Sequence, residues 1–153
     1  MSATESHDAY GKKVLHRAAD PDFDGSKATC RVDYGSAQNT GGFIDGTAMG
    51  CVAIEVESRT SKQVRGAVLD LICHPFPKKL LVLLNVHAHD TKTLSMQCAN
   101  IFERFEHLVP AGKYRIVILK GNGGSHRFDD DVAIVRAALR KLCGIAKDLG
   151  QRA

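Results

Sequence analysis

Long apolar runs are missing from this sequence. The most apolar stretch, Leu80–Val86, covers seven residues with Asn85 among them, far short of the roughly 20 that cross a bilayer as a helix. The opening MSATESHDAYGKK has no apolar core behind a basic start, so it does not read as a secretory signal. Cysteine is sparse and odd in number, with five residues at Cys30, Cys51, Cys73, Cys98 and Cys143 and no CxxC. That spacing argues against a disulfide framework and a structural zinc site, and it suits a reducing cytoplasm. A large excess of either charge is also lacking: 21 Lys and Arg against 17 Asp and Glu leave +4. Such an excess permits a nucleic-acid partner without requiring one. No repeat, linker or low-complexity segment interrupts the 153 residues. What is there is ordinary globular make-up, 44% apolar and 25% charged, long enough for one domain with a sizeable core.

Periodicity divides that domain into elements. Residues 1–7 read as a polar tail and 144–153 as a frayed end. DAYGKKVLHRAA, 8–19, suggests a short helix with Val14, Leu15 and Ala18 inward, and DPDFDGS after it is a loop of turn formers. A strand is expected at 28–34, a loop at 35–42, then two strands at about 42–48 and 51–58 around Met49-Gly50, a β-hairpin. In the second, Val52, Ile54 and Val56 alternate with Ala53, Glu55 and Glu57, so the β-branched residues share one face and both glutamates the other. Thr60 or Ser61 is placed to cap a helix running to about Cys73, with Val64, Ala67, Val68, Leu71 and Ile72 as its stripe. KKLLVLLNV is apolar without alternation, as in a parallel strand covered on both faces. Leu94, Cys98, Ile101, Phe102, Phe105 and Leu108 predict a helix over 91–108, YRIVILK at 114–120 a second buried strand, and 129–142 a last helix. The order is helix, three strands, helix, strand, helix, strand, helix. It predicts an α/β domain with one mixed sheet flanked by helices, antiparallel early and parallel later.

The most informative segment is FIDGTAMGCVAIEVE. A hairpin turning about Gly50 sets Asp45 opposite Glu55, with Glu57 on the same face about 7 Å along the strand. Three acids then converge with no cation among them on these strands. At about 5 Å and an effective dielectric near 20, each like-charged pair costs about 3 kcal/mol. Proton uptake, basic neighbours or a bound cation must offset that cost. Oxygen-only donors favour a hard cation, Mg²⁺ before Zn²⁺, and Mg²⁺ held by one or two carboxylates keeps positions for water and phosphate. That is what metal-assisted phosphodiester hydrolysis requires. The plain alternative is a solvated sheet face with Arg59 and Lys62 as partners.

The arrangement resembles the PD-(D/E)xK nuclease superfamily, the restriction-endonuclease-like enzymes. Ile44-Asp45 stands where that family has an acid ending one strand, and Glu55-Val56-Glu57 where it has (D/E)-x-K on the next. SKQVRGAVLDLI and KKLLVLLNV follow as crossover helix and parallel strand. The likeness spans about residues 8–90 and implies an α-β-β-β-α-β core followed by α-β-α. It also implies a Mg²⁺-dependent endonuclease acting on DNA, with Mn²⁺ as a substitute and products bearing a 5′-phosphate and a 3′-hydroxyl. By the same likeness Asp45 and Glu55 bind the metal, and the Val56 carbonyl is a further ligand. Two departures stand out: Ile44 in place of proline, and Glu57 in place of the motif lysine. Glu57 would then orient or deprotonate water or bind metal, as in E-x-E members of the family, or a basic residue from elsewhere would substitute. Glu5 or Asp8 is a candidate extra acid.

Around these residues, Gln63 is placed to meet the metal site, and Arg59, Lys62 and Arg65 to reach phosphates. Lys78 and Lys79 are expected in solvent. Tyr10 and Tyr34 are candidates to touch a nucleic acid, Tyr10 equally a core residue. His74 reads as a helix end, His87-Ala88-His89-Asp90 as a strand-end loop, and the cysteines as core. A homodimer would place two sites across a duplex. Two other readings stay open. One is a catalytically inactive nucleic-acid-binding or scaffolding module of the same fold. The other is a phosphate or nucleotide binder using Gly121-Asn122-Gly123-Gly124, which lacks P-loop spacing.

Overall fold

The computed structural model describes residues 6–35, 41–59, 61–85, 88–121 and 125–145. Ser6 caps the first helix, α1 (His7–Ala19), by accepting from the Ala9 N–H at 3.2 Å. Ser26 caps α2 (Lys27–Cys30) in the same way. The strands are β1 (Phe23–Asp24), β2 (Arg31–Val32), β3 (Gly42–Phe43), β4 (Gly46–Ala48), β5 (Val52–Glu57), β6 (Lys78–Leu84) and β7 (Tyr114–Leu119). Three further helices are α3 (Ser61–Cys73), α4 (Ala88–Arg104) and α5 (Phe128–Cys143), the last preceded by a 3₁₀ turn at Ser125–Arg127.

Five strands form one mixed sheet in the order β1-β4-β5-β6-β7. β1 and β5 both run antiparallel to β4, while β5, β6 and β7 are mutually parallel. The helices α3 and α4 make the crossovers that parallel neighbours need. Met49 and Gly50 turn the hairpin, both with positive φ, the backbone that matches the right-handed strand twist.

Alternation along the strands splits the core in two. Val52, Ile54, Val56, Leu80, Val82 and Leu84 pack under α1 and α5. Ala53, Leu81 and Leu83 pack under α3 and α4. The unbroken apolar run of β6 is therefore a strand buried on both faces, as its sequence predicts. α1 sits so close to the sheet that a Cβ on Gly11 would collide with Val56 and Leu84. Asp131 ties α1 to α5 and β7, accepting from the Tyr10 hydroxyl and from the Lys120 and Gly121 amides at 2.7–2.8 Å, fully buried.

Four expectations are corrected. The segment expected as a strand at 28–34 begins as α2, and only Arg31–Val32 is extended, paired with β3 in a separate ribbon. The cause is local: Asp24 accepts from the Ser26 N–H at 2.8 Å and Ser26 caps the next turn, so these side chains draw the backbone away from a ladder. The supposed loop before it supplies the edge strand β1. The helix expected to reach 108 ends at Arg104 in a series of turns, leaving Leu108 exposed. Lys79 is not in solvent but 2% exposed, its ammonium donating to the His74 carbonyl at 2.5 Å. Among the described residues no helix is long and apolar enough to cross a membrane.

Candidate functional site

The site grows from the β4–β5 hairpin. Gly46 pairs with Ile54 and Ala48 with Val52, so continuing the register by one residue sets Asp45 opposite Glu55, as the turn position predicts. Asp45 Oδ2 accepts from the Val56 N–H at 2.8 Å, which locks its carboxylate against β5. Val56 itself points into the α1–α5 core. Its two neighbours, Glu55 and Glu57, fall on the opposite face and are 8% and 5% exposed.

The two glutamates have different surroundings. The Glu55 carboxyl hydrogen-bonds to Asp45. Burial first, then that bond and the negative charges of Asp45 and Glu57, push its pKa up to about 10. Two carboxyls this close cannot both ionise cheaply. Glu57 is held instead by Arg59. The guanidinium donates through Nε at 2.9 Å and Nη2 at 3.0 Å, and the Arg59 backbone N–H donates to the same carboxylate at 2.9 Å. This bidentate clamp leaves most of the Arg59 side chain in solvent.

A cation arrives from an element that the hairpin pattern does not contain. Lys12, on the exposed side of α1, places Nζ 3.6 Å from Asp45 Oδ1 and 3.0 Å from Asp8 Oδ2. Its hydrogen bond to Asp8, against the opposing effect of burial, keeps the ammonium charged. The tight seat of Gly11 next to it is what brings this lysine to the hairpin.

These groups line an open cleft of about 550 Å³ between α1, β5 and α3. The α3 wall is Gln63, Gly66, Ala67 and Asp70, one face of the helix at i, i+3, i+4 and i+7. Burial raises the Asp70 carboxyl pKa. Of the sequence-predicted residues, the cleft unites Asp45, Glu55, Val56, Glu57, Arg59, Gln63 and Asp8. Lys62 and Arg65 are exposed on α3 and are not among its walls. Tyr10 is buried against Asp131 and belongs to the core, while Tyr34 is exposed. Glu5, Thr60, His87 and residues 122–124 lie outside the described residues. Gly121, which opens the glycine loop, already spends its amide on Asp131.

Two charged cleft residues go unmarked in the sequence reading, Lys12 and Asp70, as does Phe43. Asp70 leaves a signal, being an acid seven positions after Gln63 in an otherwise apolar stretch. Lys12 leaves none, because its place depends on how α1 packs.

Among the described residues no three or more His, Cys, Asp or Glu side chains gather into a metal-holding group. A hard cation does not need three: Mg²⁺ commonly takes one or two carboxylates and completes its shell with water and phosphate. The Asp45–Glu55 pair, all oxygen and facing an open cleft, fits that requirement. No family profile, curated protein or solved structure matches the chain.

Proposed function

We propose that this chain is a Mg²⁺-dependent endonuclease of restriction-endonuclease-like architecture that hydrolyses DNA phosphodiesters, with Mn²⁺ able to replace Mg²⁺. The observation that carries the reading is the Asp45–Glu55 carboxyl pair, face to face across the hairpin in an open cleft with the Lys12 ammonium beside it. Asp45 and Glu55 would hold the cation. When bound, it supplies Lewis-acid polarisation of the phosphate and a more acidic water.

The chain's own residues account for the rest. Lys12 takes the part that the family's motif lysine plays, reaching the acids from α1 while Glu57 occupies the motif position. Its ammonium is a donor to an attacking water or a phosphate oxygen. Glu57 acts as the anchor that fixes Arg59 at the cleft edge, where the exposed guanidinium can meet a phosphate. Gln63 projects from α3 as a neutral donor or acceptor along the same path.

Plasmid cleavage titrated with Mg²⁺ and Mn²⁺ tests this. Asp45→Ala and Glu55→Gln are expected to abolish cleavage with the fold intact by circular dichroism, and Lys12→Met to slow it roughly 100-fold. Full activity in either acid variant rejects the assignment. The clamp of Arg59 on Glu57 favours one second reading, a nucleic-acid-binding module without catalysis. It predicts steeply salt-dependent binding with no metal-dependent scission.

A further inference from the structure

The acid cleft does not end at Arg59. Glu57, Ser58 and Arg59 also form one wall of a smaller recess of about 170 Å³ at the carboxyl ends of β5 and β6. Its apolar side is formed by Leu83 and Leu94, which share the α3–α4 face of the sheet. Its rim is polar, from Asp90, Thr93 and Gln97 of α4. An apolar side with a few polar groups at the rim suits a flat heterocycle that offers faces to stack and an edge to hydrogen-bond. In the main cleft, Phe43 joins the lining and is 53% exposed. Among the described residues six large apolar side chains are exposed, and this one lies on the wall of the cleft that holds the acids.

We infer that the cleft binds single-stranded DNA, with one unstacked base on the Phe43 ring and a second in the Leu83–Leu94 recess, the intervening backbone running past Lys12 and Arg59. This rests on the proposed nuclease reading and names the form of its substrate. A duplex keeps its bases paired and stacked inside, where neither Phe43 nor the recess reaches them. An unpaired strand offers them freely. Aromatic platforms beside a cationic track are how proteins hold single strands without reading sequence. Arg59 and Lys12 supply the cations here, Arg59 held by Glu57 and Lys12 by Asp8 and Asp45, and the exposed outer side of each is where a phosphate would lie.

Binding of the full chain to a fluorescent single-stranded oligonucleotide and to its blunt duplex, both in EDTA, separates this from the cleavage question. Wild type is expected to prefer the single strand at least about tenfold. Phe43→Ala is expected to weaken single-strand binding by about tenfold, within the range for losing one base stack. Thr93→Trp, an exposed change that roofs the recess, is expected to do likewise. Both positions are solvent-exposed, and unchanged melting temperatures will certify the fold. An oligonucleotide carrying 2-aminopurine should brighten on binding wild type as its base leaves the stack, and brighten less on either variant. Equal affinity for duplex and single strand, or wild-type binding by both variants, overturns the inference. Metal-dependent cleavage confined to duplex would do so too, while leaving the nuclease reading standing. Single-strand preference lost in both variants, with no cleavage in any metal, upholds the strand-binding cleft and rejects the nuclease.

Discussion

Single residues here carry charges in places where charge is expensive, and each leaves a measurable trace. Lys79 is the clearest. Burial lowers its pKa from the usual value to about 8, and its ammonium has the His74 carbonyl as acceptor. The folded state therefore gives up the proton before the unfolded chain does. Between about pH 8 and 10.5 the unfolded state binds more protons, so stability rises with pH through that window. The contribution is fully present above 10.5 and lost as pH falls through 8. Lys79→Met should abolish this dependence. The difference in unfolding free energy between wild type and variant should shift by about 3 kcal/mol between pH 7 and 10.5, measured by urea titration, and a constant difference would refute the buried charge. Glu55→Gln makes a different point. Glutamine has the shape of the protonated acid that the Asp45 pair favours, so metal-free stability at pH 7 should change by less than about 1 kcal/mol while cleavage disappears. At this scale the sequence was readable where the partner is local and opaque where it is not. Glu55 and Asp45 announce each other through the Met49-Gly50 turn. Lys79 looked like the solvated lead-in to a strand, yet the ladder begins one residue earlier and the side chain turns into the layer beneath α3.

Among the elements, α1 decides whether the site is complete. Its Gly11 lies against Val56 and Leu84 with no room for a Cβ, and the next residue is Lys12. Gly11→Ala improves helix propensity by about 1 kcal/mol but forces the helix off the sheet, so a net loss of roughly 1–2 kcal/mol in stability is expected. The same displacement withdraws Lys12 from Asp45, and cleavage should fall further than stability alone explains. Cleavage measured well below the melting temperature separates the two effects. An unchanged rate in a destabilised Gly11→Ala would mean that Lys12 takes no part. The hairpin, β6, β7, α3 and α5 were all legible, because turn chemistry and apolar period act within one segment. β1, α2, β2 and β3 were not. There, short polar side chains such as Asp24 and Ser26 compete for the backbone, and two-residue strands hold too little periodicity to register.

For the molecule as a whole, a mixed sheet flanked by helices followed from element order alone, since parallel neighbours demand crossovers. The link that closes it did not. Asp131 gathers α1, α5 and the end of β7 through three hydrogen bonds, and nothing in DDDVAIV distinguishes it from Asp129 and Asp130 except its place on the inner face. Asp131→Ala strands the Tyr10 hydroxyl and two amides in the interior, which should cost about 3 kcal/mol or more and lower Tm by roughly 6–12 °C for a chain of this size. Calorimetry would detect it, and a drop under 2 °C would mean the hub is ornamental. This closure also orders events in time. The lysine of the cleft rides on the first helix, and that helix finds its seat against the final one, through Tyr10 on Asp131 and Phe128 and through Arg136 on the Arg17 carbonyl. A ribosome therefore releases both the acids of the hairpin and the lysine of α1 before α5 exists, and the helix that carries Lys12 is seated on all its partners only once α5 has emerged.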